Sequence, residues 1–231
     1  MKSSSCIYLI SPYPVFNKNE IPEFNGFNKE DSSALYSALI HNHSGNFKSV
    51  LKNKQVIYCL DERDKEFIPE IFYEQSIIQF CDCREDVASL KLLAEKYFNN
   101  HLNNLVVFGS SIGFTPGEID RAFDLLSIND EALVIGKCSN DSVAFLGFNS
   151  YNPGIFDSLK CSLNSYDQIL ANVNKYENFI HVMGNYQYIK DINDFKKLYS
   201  ELSKKESWSY CNQEMHEQFT HLFIEYKELL K

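Results

Sequence analysis

Gly109-Ser110-Ser111-Ile112-Gly113 fits the pattern G-x-S-x-G and lies between an apolar run and a helix start. A nucleophilic serine at such a turn needs the helix to begin directly behind it, with oxyanion donors close by. Here the helix-start signals fall later: Thr115 as N-cap, Pro116 at the first helical position and Glu118 completing a capping box. A helix beginning after Ser111 would enclose Pro116, whose ring would clash with the Ile112 carbonyl at a cost of about 3 kcal/mol. A triad would also require His181, His216 or His221, with Asp157, Asp167 or Asp191 as orienter, and none has a distinctive context. A tight strand-to-helix turn is therefore the preferred reading, and a serine hydrolase through Ser111 an alternative. The same loop presents backbone N–H groups around Ser110 and Ser111 that could meet phosphate or sugar. It has no P-loop lysine and no dinucleotide glycine pattern.

Other chemistry-bearing residues are sparser. Cys81 and Cys83 stand one residue apart with no second pair and no nearby histidine, which does not make a tetrahedral metal site. His41 and His43 cannot share a helical face, nor can His216 and His221. Holding a divalent cation against a diphosphate requires carboxylates. Asp61, closing a strand, and Asp141, in a loop between two β-rich runs beside Asn140, are the candidates. Asp191 and Asp194 fit a helix N-cap and first turn. There is no D-x-D pair.

The elements that must position these groups alternate between apolar runs and helical periodicity. Predicted strands are Cys6 to Ser11, Gln55 to Leu60, Ser76 to Phe80, Asn104 to Phe108 and Phe179 to Met183. Ala132 to Gly136 and Val143 to Phe148 could pair as a hairpin or lie apart in one sheet. Helices are predicted after Asp31 or Ser32, through Val87, Leu90, Ala94 and Tyr97, after Thr115, near Asp167 to Val173 and after Asp191. The last helix places Met215, Phe219, Leu222, Tyr226 and Leu230 on one side, a stripe that would dock internally or against a second copy. The alternation implies a three-layer α/β/α fold with a central, mostly parallel but mixed sheet. Ligands of such sheets bind beyond the carboxyl ends of the strands, which directs attention to Ser11 to Asn17, Asp61 to Asp64, Gly109 to Phe114 and Lys137 to Ser142.

Composition narrows the classes. The chain has 231 residues with 44% apolar and 23% charged content, so a large packed domain is expected. Its net charge of −9, with only three arginines (Arg63, Arg84 and Arg121), lacks the field that draws nucleic acid or anionic lipid. The apolar run after Met1 is too brief for a signal-peptide core, and no stretch reaches the length of a membrane span. Seven scattered cysteines read as reduced thiols of a cytoplasmic protein.

Val106 to Phe148 resembles the core of a family of small bacterial glycosyltransferase-like proteins with a GT-A-type, nucleotide-diphospho-sugar transferase fold. That family is distantly related to guanylyltransferases acting on molybdenum cofactor and phospholactate. The family pattern runs strand, G-S-D-x-P, a T-P-x-x-[LI] helix start, then a strand ending in L-G-P-A-E-D-G-G-Y-Y-L-[IL]-G-L. Gly136 and Gly147 keep the spacing of the second motif. Ser33 to Leu39 is similar to the first helix, Phe156-Asp157 followed by Ser162 to an F-D-G-I-x-W-S segment, and Ile189 to Leu198 to a late D-V-D-T-P-E-D-L helix start. The likeness covers most of residues 6 to 205. Domains are accordingly expected at 1–205, with 206–231 a helical extension packed on it.

The chain departs from that pattern where charge is expected. Ser111 stands for the Asp of G-S-D, and Lys137 to Ala144 loses both acids of the second motif. Lys18 is the only cation between Val15 and Asn28, and Tyr188 and Lys190 replace the late Asp pair. The resemblance therefore implies a transferase-like scaffold with degenerate catalysis, serving as a ligand- or partner-binding protein. The alternative is an active glycosyl- or nucleotidyltransferase using relocated acids. Candidate nucleotide or substrate contacts are Ser11, Asp61, Ser110, Ser111, Asn140 and Asp141, with no assigned catalytic or metal residue. No cofactor is expected, and Mg²⁺ or Mn²⁺ only for an active enzyme. Expected partners are a nucleotide-sugar or other small molecule and a second copy through the C-terminal helix, with neither nucleic acid nor membrane.

Overall fold

The computed structural model describes residues 3–50, 54–72, 77–82, 86–156, 159–160 and 162–230. Its strands are β1 (Ser3–Ile10), β2 (Lys54–Asp61), β3 (Ile77–Cys81), β4 (His101–Phe108), β5 (Ser111–Ile112), β6 (Ala132–Cys138), β7 (Val143–Phe148) and β8 (Phe179–Tyr188). The helices are α1 (Lys29–Val50), α2 (Asp86–Lys96), α3 (Pro116–Leu126), α4 (Pro153–Phe156), α5 (Tyr166–Val173), α6 (Ile192–Leu202) and α7 (Gln213–Glu225). The strands form one sheet in the order β3-β2-β1-β4-β7-β6-β8-β5. β1 is parallel to β2 and β4, β2 to β3, and β6 to β8. β7 runs antiparallel to both β4 and β6, so the α/β sheet is mixed but mostly parallel, flanked by helices.

Hydrophobicity explains the centre. Cys6 to Ile10 and Leu105 to Phe108 are essentially inaccessible, as central parallel strands covered on both faces must be. Ala132 to Cys138 and Val143 to Phe148 form the hairpin, with a register shift between Gly136 and Lys137. β8 continues past Met183 because Gly184 (φ 142°) and Asn185 (φ 148°) open its backbone into a bulge opposite Lys137 and Cys138. A Cβ at Gly184 would run into the Lys137 carbonyl, so glycine is required there.

The helix ends follow their caps. Asn28 Oδ1 accepts from the Asp31 N–H at 2.8 Å, so α1 begins ahead of the expected Asp31 or Ser32. Thr115 and Glu118 form the predicted capping box of α3. Ser165 caps α5, Asp191 caps α6 and Asn212 caps α7. The stripe of α7 turns inward: Met215, Phe219 and Leu222 are buried, and the helix packs on α1. Beyond α7, the Tyr226 ring stacks on Phe27 at 3.7 Å and 4°, while its hydroxyl donates to Asp31 (2.7 Å) and accepts from the Asn28 N–H (3.2 Å). Among the described residues no helix is long and apolar enough to cross a membrane.

Candidate functional site

Six strands, β1, β2, β3, β4, β6 and β8, point their carboxyl ends the same way, and the candidate residues lie along that rim. Ser11 continues β1: its N–H donates to the Cys59 carbonyl (2.9 Å) and its Oγ to the Tyr13 carbonyl (2.6 Å). Tyr13 then crosses to β4, where its hydroxyl lies 2.8 Å from Ser110 Oγ. Its ring packs against Tyr36 at 4.4 Å. Burial, with Tyr36 and Tyr188 nearby, pushes the Tyr13 phenol well above its ordinary range, so it remains neutral. Between Ser11, Tyr13, Tyr36 and Ser110 no volume remains that a water molecule could occupy. Between the ends of β1 and β4 the side chains of the described residues close on one another.

The strongest feature of the rim joins two of the segments expected to lie there, Ser11 to Asn17 and Asp61 to Asp64, in a pairing the sequence did not show. The buried Asp64 carboxylate accepts from three successive backbone N–H groups of the loop after β1: Val15 (2.9 Å), Phe16 (2.9 Å) and Asn17 (2.8 Å). Asn17 Nδ2 also donates to the Arg63 carbonyl at 3.0 Å. Burial raises the Asp64 pKa, the three N–H groups oppose that rise, and the charge of Asp61 adds to it. A run of N–H groups converging on one carboxylate is an anion nest, and here the chain supplies the anion itself. The partners lie almost fifty residues apart, so no local spacing could reveal them.

Asp61, also inaccessible, caps the 3₁₀ turn Glu62–Asp64 and accepts from Arg63 through its N–H (3.0 Å), Nε (2.7 Å) and Nη2 (2.8 Å). Arg63 Nη1 lies 3.7 Å from Glu20. The nearest acid pair on the rim is thus engaged, Asp61 by a guanidinium and Asp64 by amide hydrogens. These residues do not fit a divalent cation, which would have to displace those donors. Among the described residues no cluster of three His, Cys, Asp or Glu is placed to hold a metal ion.

Ser111 is fully buried, and its Oγ donates to the carbonyls of Phe108 (2.6 Å) and Ala144 (3.3 Å). It opens β5, which pairs with β8 through Ser111 opposite Tyr188 and Ile112 opposite Gln187. The segment expected to be a simple turn is therefore a short strand, and the helix waits until Pro116. The histidine near this serine is His43 rather than one of the three considered. Its ring stacks on Phe47 (6.0 Å) and Phe114 (5.1 Å). Burial lowers its pKa to about 4, against the pull of the Ser111 and Gly109 carbonyls. No base is hydrogen-bonded to Ser111 among the described residues. His216 Nε2 bonds instead to Ser207 Oγ at 3.0 Å.

Asn140 and Asp141 occupy the β6–β7 turn. Asn140 Nδ2 donates to the Tyr188 carbonyl (2.9 Å) and to Asp194 (3.0 Å), which joins it through Tyr188 to the strand pair containing Ser111. Asp141, exposed and at φ 60°, turns away and accepts from Ser165 Oγ at 2.9 Å. The structure thus gathers Ser11, Ser110 and Ser111 around the end of β4, with Asp61 beside them on β2. Asn140 reaches that group indirectly, and Asp141 faces the start of α5. Asp194, read from sequence as first-turn charge, is a buried link between α6 and the hairpin. Ser76, Cys83 and Asp157 lie outside the described residues.

Comparison with known proteins gives the fold its class. No protein-family model matches the sequence, and no curated protein sequence matches it. Among solved structures, the chain is similar to a protein from Desulfovibrio desulfuricans G20 provisionally named a nucleotide-diphospho-sugar transferase. The TM-score is 0.69 at 14% identity, covering 100% of this chain and 97% of that one. It is also similar to Rv0371c of Mycobacterium tuberculosis H37Rv in complex with manganese (TM-score 0.52, 10% identity, 87% and 100% covered). A cytidylyltransferase from Leptospira borgpetersenii serovar Hardjo-bovis matches with TM-score 0.50 at 12% identity, covering 100% and 97%. The chain is a divergent example of the nucleotide-diphospho-sugar transferase, GT-A-like fold.

Proposed function

We propose that this chain is a transferase-fold protein without metal-dependent sugar or nucleotide transfer, acting as a scaffold that binds a small ligand or a partner. One observation carries the reading: the Asp64 carboxylate holds the three N–H groups of the loop after β1. Ligands of open α/β sheets sit beyond the strand ends at this loop, and a diphosphate leaving group needs donors or a cation to take up its charge. An internal anion in that position competes with a phosphate, and the pairing of Asp61 with Arg63 withholds the nearest cation ligand. The 206–231 segment is then an addition clamped onto a 1–205 domain, and the buried cysteines Cys6, Cys59, Cys81, Cys138 and Cys211 suit a cytoplasmic setting.

Isothermal titration with UDP-, GDP- and CMP-linked sugars, each with and without Mn²⁺, tests this. The expected result is no metal-dependent heat; micromolar binding that requires Mn²⁺ would overturn it. The manganese held by one structural neighbour favours a second reading, an active transferase using Asp61 and Asp141. That reading requires turnover that is lost in Asp61→Asn.

A further inference from the structure

α6 and α7 leave a cavity of about 600 Å³ between them, at the opposite end of α6 from Asp194. The crevice between Ser11, Tyr13 and Ser110, by contrast, has no room for a water molecule. Tyr199, Leu202, Phe223, Ile224 and Leu230 line the cavity. Phe223 is buried between the rings of Phe195 (5.0 Å) and Tyr199 (5.1 Å), whereas Tyr199 and Ile224 stay 45% and 67% exposed. Two polar groups of the wall are taken up locally. Ser203 Oγ donates to the Tyr199 carbonyl (2.8 Å), and His216 Nε2 bonds to Ser207 Oγ (3.0 Å). Burial lowers the His216 pKa, which keeps the ring neutral, and Trp208 stacks on it at 4.1 Å and 25°. Among the described residues no Asp or Glu lines the cavity, although the chain as a whole is acidic. Lys227 is its one charged side chain, and no ion pair engages it.

We propose that this cavity binds a small amphiphilic monocarboxylate, an acyl chain lying against Phe223 and Ile224 with its carboxylate at Lys227. Size fits such a ligand: small-molecule clefts span roughly 300–1,000 Å³, with mostly apolar walls and a few polar groups that fix orientation. Charge selects the head group. An acid-free wall with one cation favours an anion, and the lysine stem adds to the apolar surface while its ammonium reaches the mouth. Salt confines the repulsion from the rest of the chain to about 8 Å at physiological ionic strength, so the local lysine decides. A second copy is the poorer occupant, because the net charge of −9 on each chain opposes its approach. None of this depends on whether the rim retains transferase chemistry.

Calorimetric titration of the full chain with sodium decanoate, decanol and decyltrimethylammonium, at equal ionic strength, tests the proposal. The expected result is saturable one-to-one binding of decanoate with a dissociation constant of about 10–100 μM. Decanol should bind about three- to fivefold more weakly, and the ammonium more weakly than both. Trp208, the chain's single tryptophan, should change its fluorescence in the same titration through its stack on His216. Lys227→Met keeps an apolar stem, so it should erase the preference for decanoate and leave decanol binding as it was. Lys227 is exposed, and its replacement should not move the melting temperature. Decanol or the ammonium binding as tightly as decanoate overturns the proposal, and that comparison needs no variant. So does a Lys227→Met chain that keeps the preference, or decanoate heat without a change in Trp208 emission, which would place the ligand elsewhere. Absence of saturable decanoate binding overturns it too. If light scattering then shows a dimer that Ile224→Glu abolishes, the groove belongs to a second copy.

Discussion

Tyr13 and Ser110 lie hydroxyl to hydroxyl at 2.8 Å, pinning the loop after β1 to the turn after β4. Between the carboxyl ends of β1 and β4, where such sheets can bind ligands, a phenol fills the gap. Asp64 closes the same loop from the other side, and the first test follows from it.

Asp64→Gly removes the acceptor of three buried N–H groups and is expected to cost about 2–4 kcal/mol, read as a lower urea midpoint. If the loop is an anion nest, formate added to the variant recovers part of that loss while neutral formamide does not. Recovery by both, or by neither, would show that the carboxylate's charge is not what the loop holds.

His43 makes stability depend on pH. Its folded pKa is about 4 against an ordinary 6.5, because burial disfavours the charged ring. Between those values the unfolded chain binds a proton that the folded chain refuses, so stability falls as pH drops from 6.5 towards 4. The full contribution is about 3 kcal/mol. His43→Phe, which fits an aromatic sandwich, should flatten that part of the profile. An unchanged slope would assign it to the other histidines whose pKa burial lowers, such as His41 and His101.

Ser111 should not react with a fluorophosphonate probe, since its hydroxyl is buried and donates to two carbonyls. Ser111→Ala is expected to lower stability by about 1 kcal/mol through the lost hydrogen bonds. Mass-spectrometric detection of a label on Ser111 would revive the hydrolase alternative.

Gly109→Ala probes the approach of β1 and β4 at the rim. The added Cβ would meet Ile40 Cδ1 at 2.6 Å and the Ile10 carbonyl oxygen at 2.9 Å. Because the oxygen belongs to the backbone, relief requires separating strand ends joined by the Gly109 N–H to Ile10 bond. A loss of about 1–3 kcal/mol is expected by thermal or urea unfolding.

The sequence shows the order of elements well, because the signals are local. Thr115, Pro116 and Glu118 mark the start of α3 within four residues, and uninterrupted apolar runs mark β1 and β4. β5 escaped because two residues carry no period, and its partner lies far along the chain at Gln187 and Tyr188. The second half of β8 escaped because Gly184 and Asn185 read as a break, whereas the backbone uses them as a bulge. At the site, Ser11 to Asn17, Asp61 to Asp64 and Ser110 could be placed on the rim because strand ends are predictable. The pairings of Tyr13 and Asp64 within it could not, since their partners lie on other elements.

The stacking of Tyr226 on Phe27 has a mechanical corollary. Phe27 and Asn28 join the loop after β1 to α1, and Tyr226 holds both, together with Asp31. The tail after α7 therefore works as a latch. A chain shortened before Tyr226 would lose this stack and both hydrogen bonds at the start of α1.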